Sequence, residues 1–224
     1  MFDDLYISTQ RDIEEAVEKY GILPYFRNSI EGFSIEEHIA PERWFSDIEG
    51  AWEWKGPVIR NTGCAYGKFF EKKAAFVRRD LFCELANHRR DGYDFDARYD
   101  DGLARRSDKQ LYDLIDEHAP VVSTQLKKLG GYGKNGVKGF DSAIARLQYQ
   151  CYVLTSDFVY MTDRNGNEYG WGTAVYSTPE KLFGKDFTEC VYANDPSESY
   201  ETVFRHIRSI FPSESDEKIK KFLR

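Results

Sequence analysis

Between Pro120 and Gln150 the chain carries Lys127, Lys128, Lys134, Lys138 and Arg146 against one acid, Asp141, a local charge of +4 in a protein of net charge −7. The remaining residues therefore total −11. Cations concentrated on an acidic background can hold phosphates, because affinity for nucleic acid rests on replacing the phosphates' counterions with Lys and Arg. A solvated helix face has the same composition, so both readings stand. The overall acidity excludes a protein that coats nucleic acid without specificity.

Other chemistries fail on spacing. Gly130-Gly131-Tyr132-Gly133-Lys134-Asn135-Gly136 is glycine-rich and basic but lacks the order of a nucleotide-binding loop and follows a helix rather than a strand. Asp91, Asp94, Asp96, Asp100 and Asp101 miss the glycine and glutamate positions of a calcium loop. His38, His88, His118 and His206 show no helical pairing, and no Gly-x-Ser-x-Gly element occurs. Cys64, Cys83, Cys151 and Cys190 lack metal-ligand spacing and read as buried free thiols. No cofactor and no metal site is expected.

The elements around the basic window have clear signals. Ser107 caps a helix with Leu111, Leu114 and Ile115 on one face; Ser123 caps a short second helix stopped at Gly130-Gly131. A third helix takes Phe140, Ile144 and Leu147 at i, i+4 and i+7. The period then falls to two, in Cys151 to Leu154, Phe158 to Met161 and Gly170 to Tyr176. Asn165-Gly166 between these runs predicts a hairpin with its tip at Arg164 to Asn167. Three helices followed by a hairpin form a winged helix. In that geometry the third helix offers Asn135, Lys138, Ser142 and Arg146 to base edges, while Thr124, Gln125, Lys127, Lys128 and Arg164 face phosphates. The same scaffold also serves protein contacts.

The first half is less distinct. Thr9 with Asp12 opens a helix ended by Gly21, and Ser34-Ile35-Glu36-Glu37 forms a capping box for a helix that Pro41 keeps short. Trp44 to Pro57 reads as an irregular aromatic-rich connection; Trp44, Trp52 and Trp54 anchor it or stack on bases. Tyr66 to Val77 reads as strand or extended chain. Asp80 caps a helix to about Arg90, and Gly92 to Arg106 reads as a short helix and linker. After the wing, Pro179 opens a helical tail, with Tyr200, Val203, Phe204 and Ile207 on one face and Ser215 capping a final basic helix.

At the junction of the third helix and the wing stands Gln148-Tyr149-Gln150. Together with Phe33-Ser34-Ile35-Glu36-Glu37-His38, Trp52-Glu53-Trp54-Lys55-Gly56-Pro57, Cys64-Ala65-Tyr66-Gly67-Lys68-Phe69-Phe70 and Glu168-Tyr169-Gly170-Trp171-Gly172, it makes nearly the whole chain resemble the AlkZ-related proteins. These are relatives of the AlkZ-like, YcaQ-type winged-helix DNA glycosylases. The resemblance implies winged-helix modules, duplex DNA as partner and a role in repair of alkylated bases. In the glycosylases a Gln-hydrophobic-Gln or Gln-hydrophobic-Asp motif positions the water that attacks the anomeric carbon, which makes Gln148 and Gln150 the catalytic candidates. Glutamine is a poor general base, so catalysis would depend on orienting water and stabilising a sugar cation. If the wing strand has begun by Gln148, both side chains share one face and point into a cavity between the winged helix and the N-terminal half, while Tyr149 packs internally. If the helix continues through Gln150, they diverge by about 200°.

The expected class is α+β, mainly helical: a helical, aromatic-rich region at 1–106 that admits a degenerate second helix-turn-helix, a winged helix at 107–178, and C-terminal helices at 179–224. With 41% hydrophobic, 16% aromatic and 31% charged residues the chain is ordered and soluble in type. Its acidic start and short apolar runs suggest neither signal peptide nor membrane span, with a cytoplasmic location by default. A non-enzymatic interaction or regulatory module is the alternative function.

Overall fold

The Thr9 hydroxyl accepts from the Asp12 N–H at 3.3 Å and the Asp12 carboxylate accepts from the Thr9 N–H at 2.8 Å, a full capping box that starts α1 (Gln10–Tyr20). The structure, a computed structural model, describes residues 2–45, 49–164 and 168–224. Gly21 ends α1 at φ 68°, and a Cβ there would stand 2.4 Å from Leu81 Cδ1, so glycine is required twice over. β1 (Ile22–Pro24) follows, then the short α2 (Ile35–His38) and α3 (Pro41–Trp44). Ser34 precedes α2 but donates its hydroxyl to Glu37 at 2.6 Å instead of accepting a backbone N–H.

The expected irregular connection from Trp44 to Pro57 is corrected: Ala51–Thr62 is one helix, α4, with Pro57 inside it. A proline in a helix interior costs about 3 kcal/mol. Burial of Ala51, Trp54, Val58 and Ile59 in the core offsets that cost, and Glu53 accepts the Gly50 N–H at 3.0 Å to start the helix. β2 (Ala65–Phe70) and β3 (Lys73–Val77) then form a hairpin turning at Glu71 and Lys72, whose φ values of 48° and 61° belong to a type I′ turn. The sheet order is β1-β3-β2, all antiparallel. α5 (Arg79–Arg90) follows; Asp80 lies in its first turn and holds the Arg78 guanidinium rather than capping. α6 (Phe95–Asp100) is capped by Asp94.

The second half starts with α7 (Arg106–His118), whose N-cap is Arg105, so Ser107 is already inside the helix. β4 (Val121–Val122), α8 (Ser123–Leu129), α9 (Phe140–Tyr149), β5 (Leu154–Thr162) and β6 (Glu168–Ser177) come next, with sheet order β4-β6-β5. Ser123 is the first residue of α8 and not its cap. Of the expected hairpin tip, Asn165, Gly166 and Asn167 lie outside the described residues. α10 (Pro179–Phe183), α11 (Lys185–Cys190), α12 (Pro196–Ile210) and α13 (Asp216–Leu223) complete the chain. The architecture is α+β with two small antiparallel sheets. Among the described residues no helix is long and apolar enough to cross a membrane.

Two hydrophobic cores result. The first joins α1 to α5 with α11 to α13, and Phe222 of the last helix stacks on Phe70 at 4.4 Å and packs on Phe33 at 5.3 Å. The second holds Phe95, Leu111, Ile115, Leu126, Phe140, Ile144 and Leu147. They meet at a seam where Cys151 and Leu154 enter the first core while Tyr152 and Val153 enter the second. Arg90, 1% exposed, bolts the seam: it donates to Cys151 O at 2.8 Å, pairs with Glu180 at 2.5 Å and lies over the Tyr152 ring. The expectation of four free thiols is corrected, since Cys83 and Cys190 form a disulfide from α5 to α11. Cys64 and Cys151 remain free and buried.

Candidate nucleic-acid interface

Where α9 stops decides the geometry of the two glutamines. Cys151 adopts φ 62°, its N–H bonds to Gln148 O at 2.9 Å, and the Tyr152 N–H bonds to Leu147 O at 2.9 Å. That is a Schellman motif with cysteine at the left-handed position usually held by glycine. The helix therefore continues through Tyr149, with Gln150 as its cap, and β5 starts only at Leu154. The one-face arrangement of Gln148 and Gln150 is thus corrected: at helical spacing they diverge by about 200°.

Gln148 is 2% exposed and committed to the structure. Its Oε1 accepts the Lys68 N–H of β2 at 3.1 Å, and its Nε2 donates to Thr155 Oγ1 of β5 at 3.0 Å. It satisfies a strand edge that would otherwise be buried without partners. Gln150 instead lines a cleft of about 710 Å³ between the two cores. Tyr149, expected to pack internally, forms part of the same wall, with the Arg89 guanidinium 4.2 Å from its ring centre. Ser142, Ala145 and Arg146 extend that wall along α9; the β2–β3 turn, Arg105 and Arg224 face it.

The charges around this cleft differ in how far they are already used. Arg146 forms a two-point pair with Asp108 (2.8 and 2.5 Å), itself 3% exposed, and that pairing holds the guanidinium further above its ordinary pKa. Glu71 accepts the Ser29 N–H and stands 3.6 Å from Lys73. Lys72, Arg105 and Arg224 make no side-chain ion pair or hydrogen bond among the described residues. Three cations without an internal partner thus converge on Gln150 and Tyr149. Sequence reasoning missed all three. They lie outside the basic window, and only the fold brings positions 72, 105 and 224 together.

The residues expected to meet DNA fall into two groups. Thr124, Gln125, Lys128 and Asn135 are exposed and make no side-chain hydrogen bond or ion pair among the described residues. Arg164 is exposed beside the undescribed hairpin tip. The others are engaged: Lys138 donates to the carbonyls of Gly133 and Lys134, and Ser142 donates to Gly139 O at 2.9 Å. Lys127 lies 4.7 Å from the Phe140 ring centre and 4.0 Å from Asp141. Base reading by Lys138, Ser142 and Arg146 would first have to break these contacts.

Trp52 donates to Trp44 O at 2.7 Å and Trp54 to Glu49 at 3.1 Å, the anchoring role rather than base stacking. Of the aspartate cluster, Asp94 caps α6 and Asp96 pairs with Lys109 at 3.1 Å. No curated protein and no solved structure matches this chain. The profile of a family described as AlkZ related matches residues 7–224, nearly the whole length, and agrees with the resemblance carried by the quoted strings. The chain therefore belongs to the AlkZ-related family.

Proposed function

We propose that the protein binds duplex DNA, with residues 107–178 acting as a winged helix and the cleft between the two cores receiving the phosphates that flank a distorted or damaged nucleotide. What supports this best is the convergence of Lys72, Arg105 and Arg224, each without an acidic partner among the described residues, on a concave surface that also offers Tyr149 and Gln150. Unpaired cations in a groove attract phosphate strongly, since no existing ion pair must be broken first. The exposed Lys128, Thr124, Gln125 and Asn135 supply further backbone contacts on the second core.

Family membership favours a DNA-repair setting related to the glycosylases. Hydrolysis by a glutamine pair does not transfer with it. Gln148 already fills its acceptor and one donor inside the protein, which leaves Gln150 alone to orient a water. Recognition without base excision is accordingly the function that this geometry favours.

The test is titration of a fluorescent duplex, with and without an abasic-site mimic, over a salt series. Loss of Lys72, Arg105 and Arg224 to alanine together is expected to flatten the log–log salt slope by about 2 to 3. An unchanged affinity and slope would remove the cleft from the interface. Excision of alkylated bases by the wild type, lost in Gln150→Ala, would restore the enzymatic alternative.

A further inference from the structure

From Gly184 to Asn194 the chain buries only two side chains, Phe187 and Val191. This thinly anchored segment nevertheless helps to hold Arg90 at the seam. The Phe187 ring centre lies 5.1 Å from the Arg90 guanidinium, and the Tyr192 hydroxyl accepts from Arg90 at 3.2 Å while donating to Tyr93 O at 3.0 Å. Several ties bind the segment to α5: Phe187 stacks on Phe82 at 5.7 Å, Asn87 donates to Asn194 O at 2.7 Å, and Arg79 pairs with Asp186 at 3.5 Å. The last pair is exposed, and such pairs contribute little. The Cys83–Cys190 bond is the covalent tie among them.

That bond is open to a small reagent. Cys83 is 6% exposed, but Cys190 is half-buried, and both line a cleft of about 480 Å³ together with Phe183, Phe187 and charged residues of α5 and α11. Disulfide exchange requires a thiolate to reach one of the sulfurs, so access decides which bonds are labile. Three of those charged residues, Asp80, Glu84 and Asp186, are acids, against Arg79, which favours a neutral or cationic thiol over an anionic one. The segment also has room to move at one end. Gly184 joins α10 to α11 at φ 67° and ψ −145°, a conformation that essentially only glycine adopts, and a Cβ there would meet nothing within 4 Å.

We propose that the Cys83–Cys190 bond is a thiol-exchange site and that its reduction by a small thiol frees residues 184–194 from α5, loosening the hold of Phe187 and Tyr192 on Arg90. The thiolate attacks Cys190 Sγ, the better exposed sulfur. A mixed disulfide forms there, the original S–S bond breaks, and Cys83 leaves with the bonding pair as a thiolate that takes up a proton. A second thiolate attacks the small thiol's own sulfur in that adduct, and Cys190 leaves in the same way. Two small thiols are thereby oxidised to their disulfide and the protein bond is reduced to two thiols. Arg90 keeps Glu180 and Cys151 O, so the seam gains play without coming apart. The site shares no lining residue with the DNA cleft, and its test does not depend on DNA binding.

The probe is cysteamine, added to diamide-oxidised wild type and stopped by acid at intervals, with the cysteines mapped by peptide mass spectrometry. In native buffer the bond is expected to exchange at about one-tenth or more of its rate in urea, with the cysteamine adduct on Cys190 rather than Cys83. Hydrogen exchange of the reduced protein should show the amides of 184–194 at least about tenfold faster than in the oxidised form, while those of α5 and α12 keep their protection. Cys83→Ser, Cys190→Ser should reproduce the reduced pattern without any thiol. A wild type that forms no Cys83–Cys190 bond on oxidation, a slower native exchange, an adduct mainly on Cys83, or unchanged protection of 184–194 after reduction overturns the proposal. The wild-type measurements decide even if the double variant does not fold.

Discussion

The two cores use polar groups in opposite ways. Around the first, several internal polar groups are tied to one another: Asn87 donates to Ser199 at 2.9 Å, Ser199 donates to Glu84, and Arg90 is held by Glu180, Cys151 and Tyr192, while the Tyr25 hydroxyl is buried without a hydrogen-bond partner among the described residues. Around the second, the pair between half-buried Arg146 and buried Asp108 is the principal tie, while Thr124, Gln125, Lys128 and Asn135 are left to solvent. A region that satisfies its groups internally gains rigidity and has little left to offer a ligand. A region that leaves them unpaired contributes less to stability and more to recognition. The cleft lies between the two, with unpaired cations supplied from both sides.

The division is tested most strongly by large-to-small changes in each core. Phe222→Ala should lower the unfolding free energy by about 3–5 kcal/mol, since it removes the ring stacked on Phe70. Leu126→Ala should cost about 2–3 kcal/mol and, in hydrogen exchange, release amides of α7 to α9 while α5 and α12 stay protected. Equal loss of protection in both regions would merge them into a single cooperative unit.

Lys55, 8% exposed between the Trp52 and Phe158 rings, is a charge buried in the first core without an ion pair among the described residues, and its removal should be stabilising. Its folded-state pKa of about 8 lies below the roughly 10.4 of an unfolded lysine, so between these values the unfolded chain binds more protons. Wild-type stability therefore rises with pH across that window, and the penalty is fully present below pH 8. Lys55→Met should be more stable at pH 7 by up to about 3 kcal/mol, the gap closing by about pH 10.5. Denaturant titrations of both proteins at pH 7 and pH 10.5 read this directly; a methionine variant less stable at pH 7 would contradict it.

The finest contrast lies at the seam. Gln148→Ala should cost about 1–3 kcal/mol because it strands the Lys68 N–H and the Thr155 hydroxyl. Gln150→Ala should change stability by less than about 0.5 kcal/mol and act on DNA affinity instead. Paired urea melts and duplex titrations separate the two effects. Similar stability losses from both substitutions would make Gln150 a structural residue as well.

Much of the second half was legible in the sequence. Phe140, Ile144 and Leu147 announce α9, and alternating apolar residues on either side of an Asn-Gly pair announce β5 and β6. The first half resisted the same rules for identifiable reasons. Glu71 and Lys72 turn the β2–β3 hairpin with positive φ although neither is glycine or asparagine, so the usual turn signal is missing. Gly56 and Pro57 disguise α4, whose existence depends on burial of Trp54, Val58 and Ile59. Nor could spacing single out the Cys83–Cys190 pairing, because connectivity does not follow from sequence alone.

Periodicity, caps and turn residues are local properties, and they determined by themselves the class of the chain, the order of its recognisable elements and its basic window. The distinctive strings carried the resemblance to a family, and the profile match over residues 7–224 showed it. What only the tertiary structure decided are matters of direction and convergence. Gln148 and Gln150 part company because Cys151 accepts a left-handed conformation at the end of α9, at a cost of roughly 1–2 kcal/mol, where Cys151 and Leu154 are drawn into the first core and Tyr152 and Val153 into the second. Lys72, Arg105 and Arg224 meet at one cleft although they are far apart in the chain, and Lys55 lies between two rings contributed by α4 and β5. Local sequence specifies which way the backbone turns, but where a side chain ends up depends on what long-range packing places opposite it.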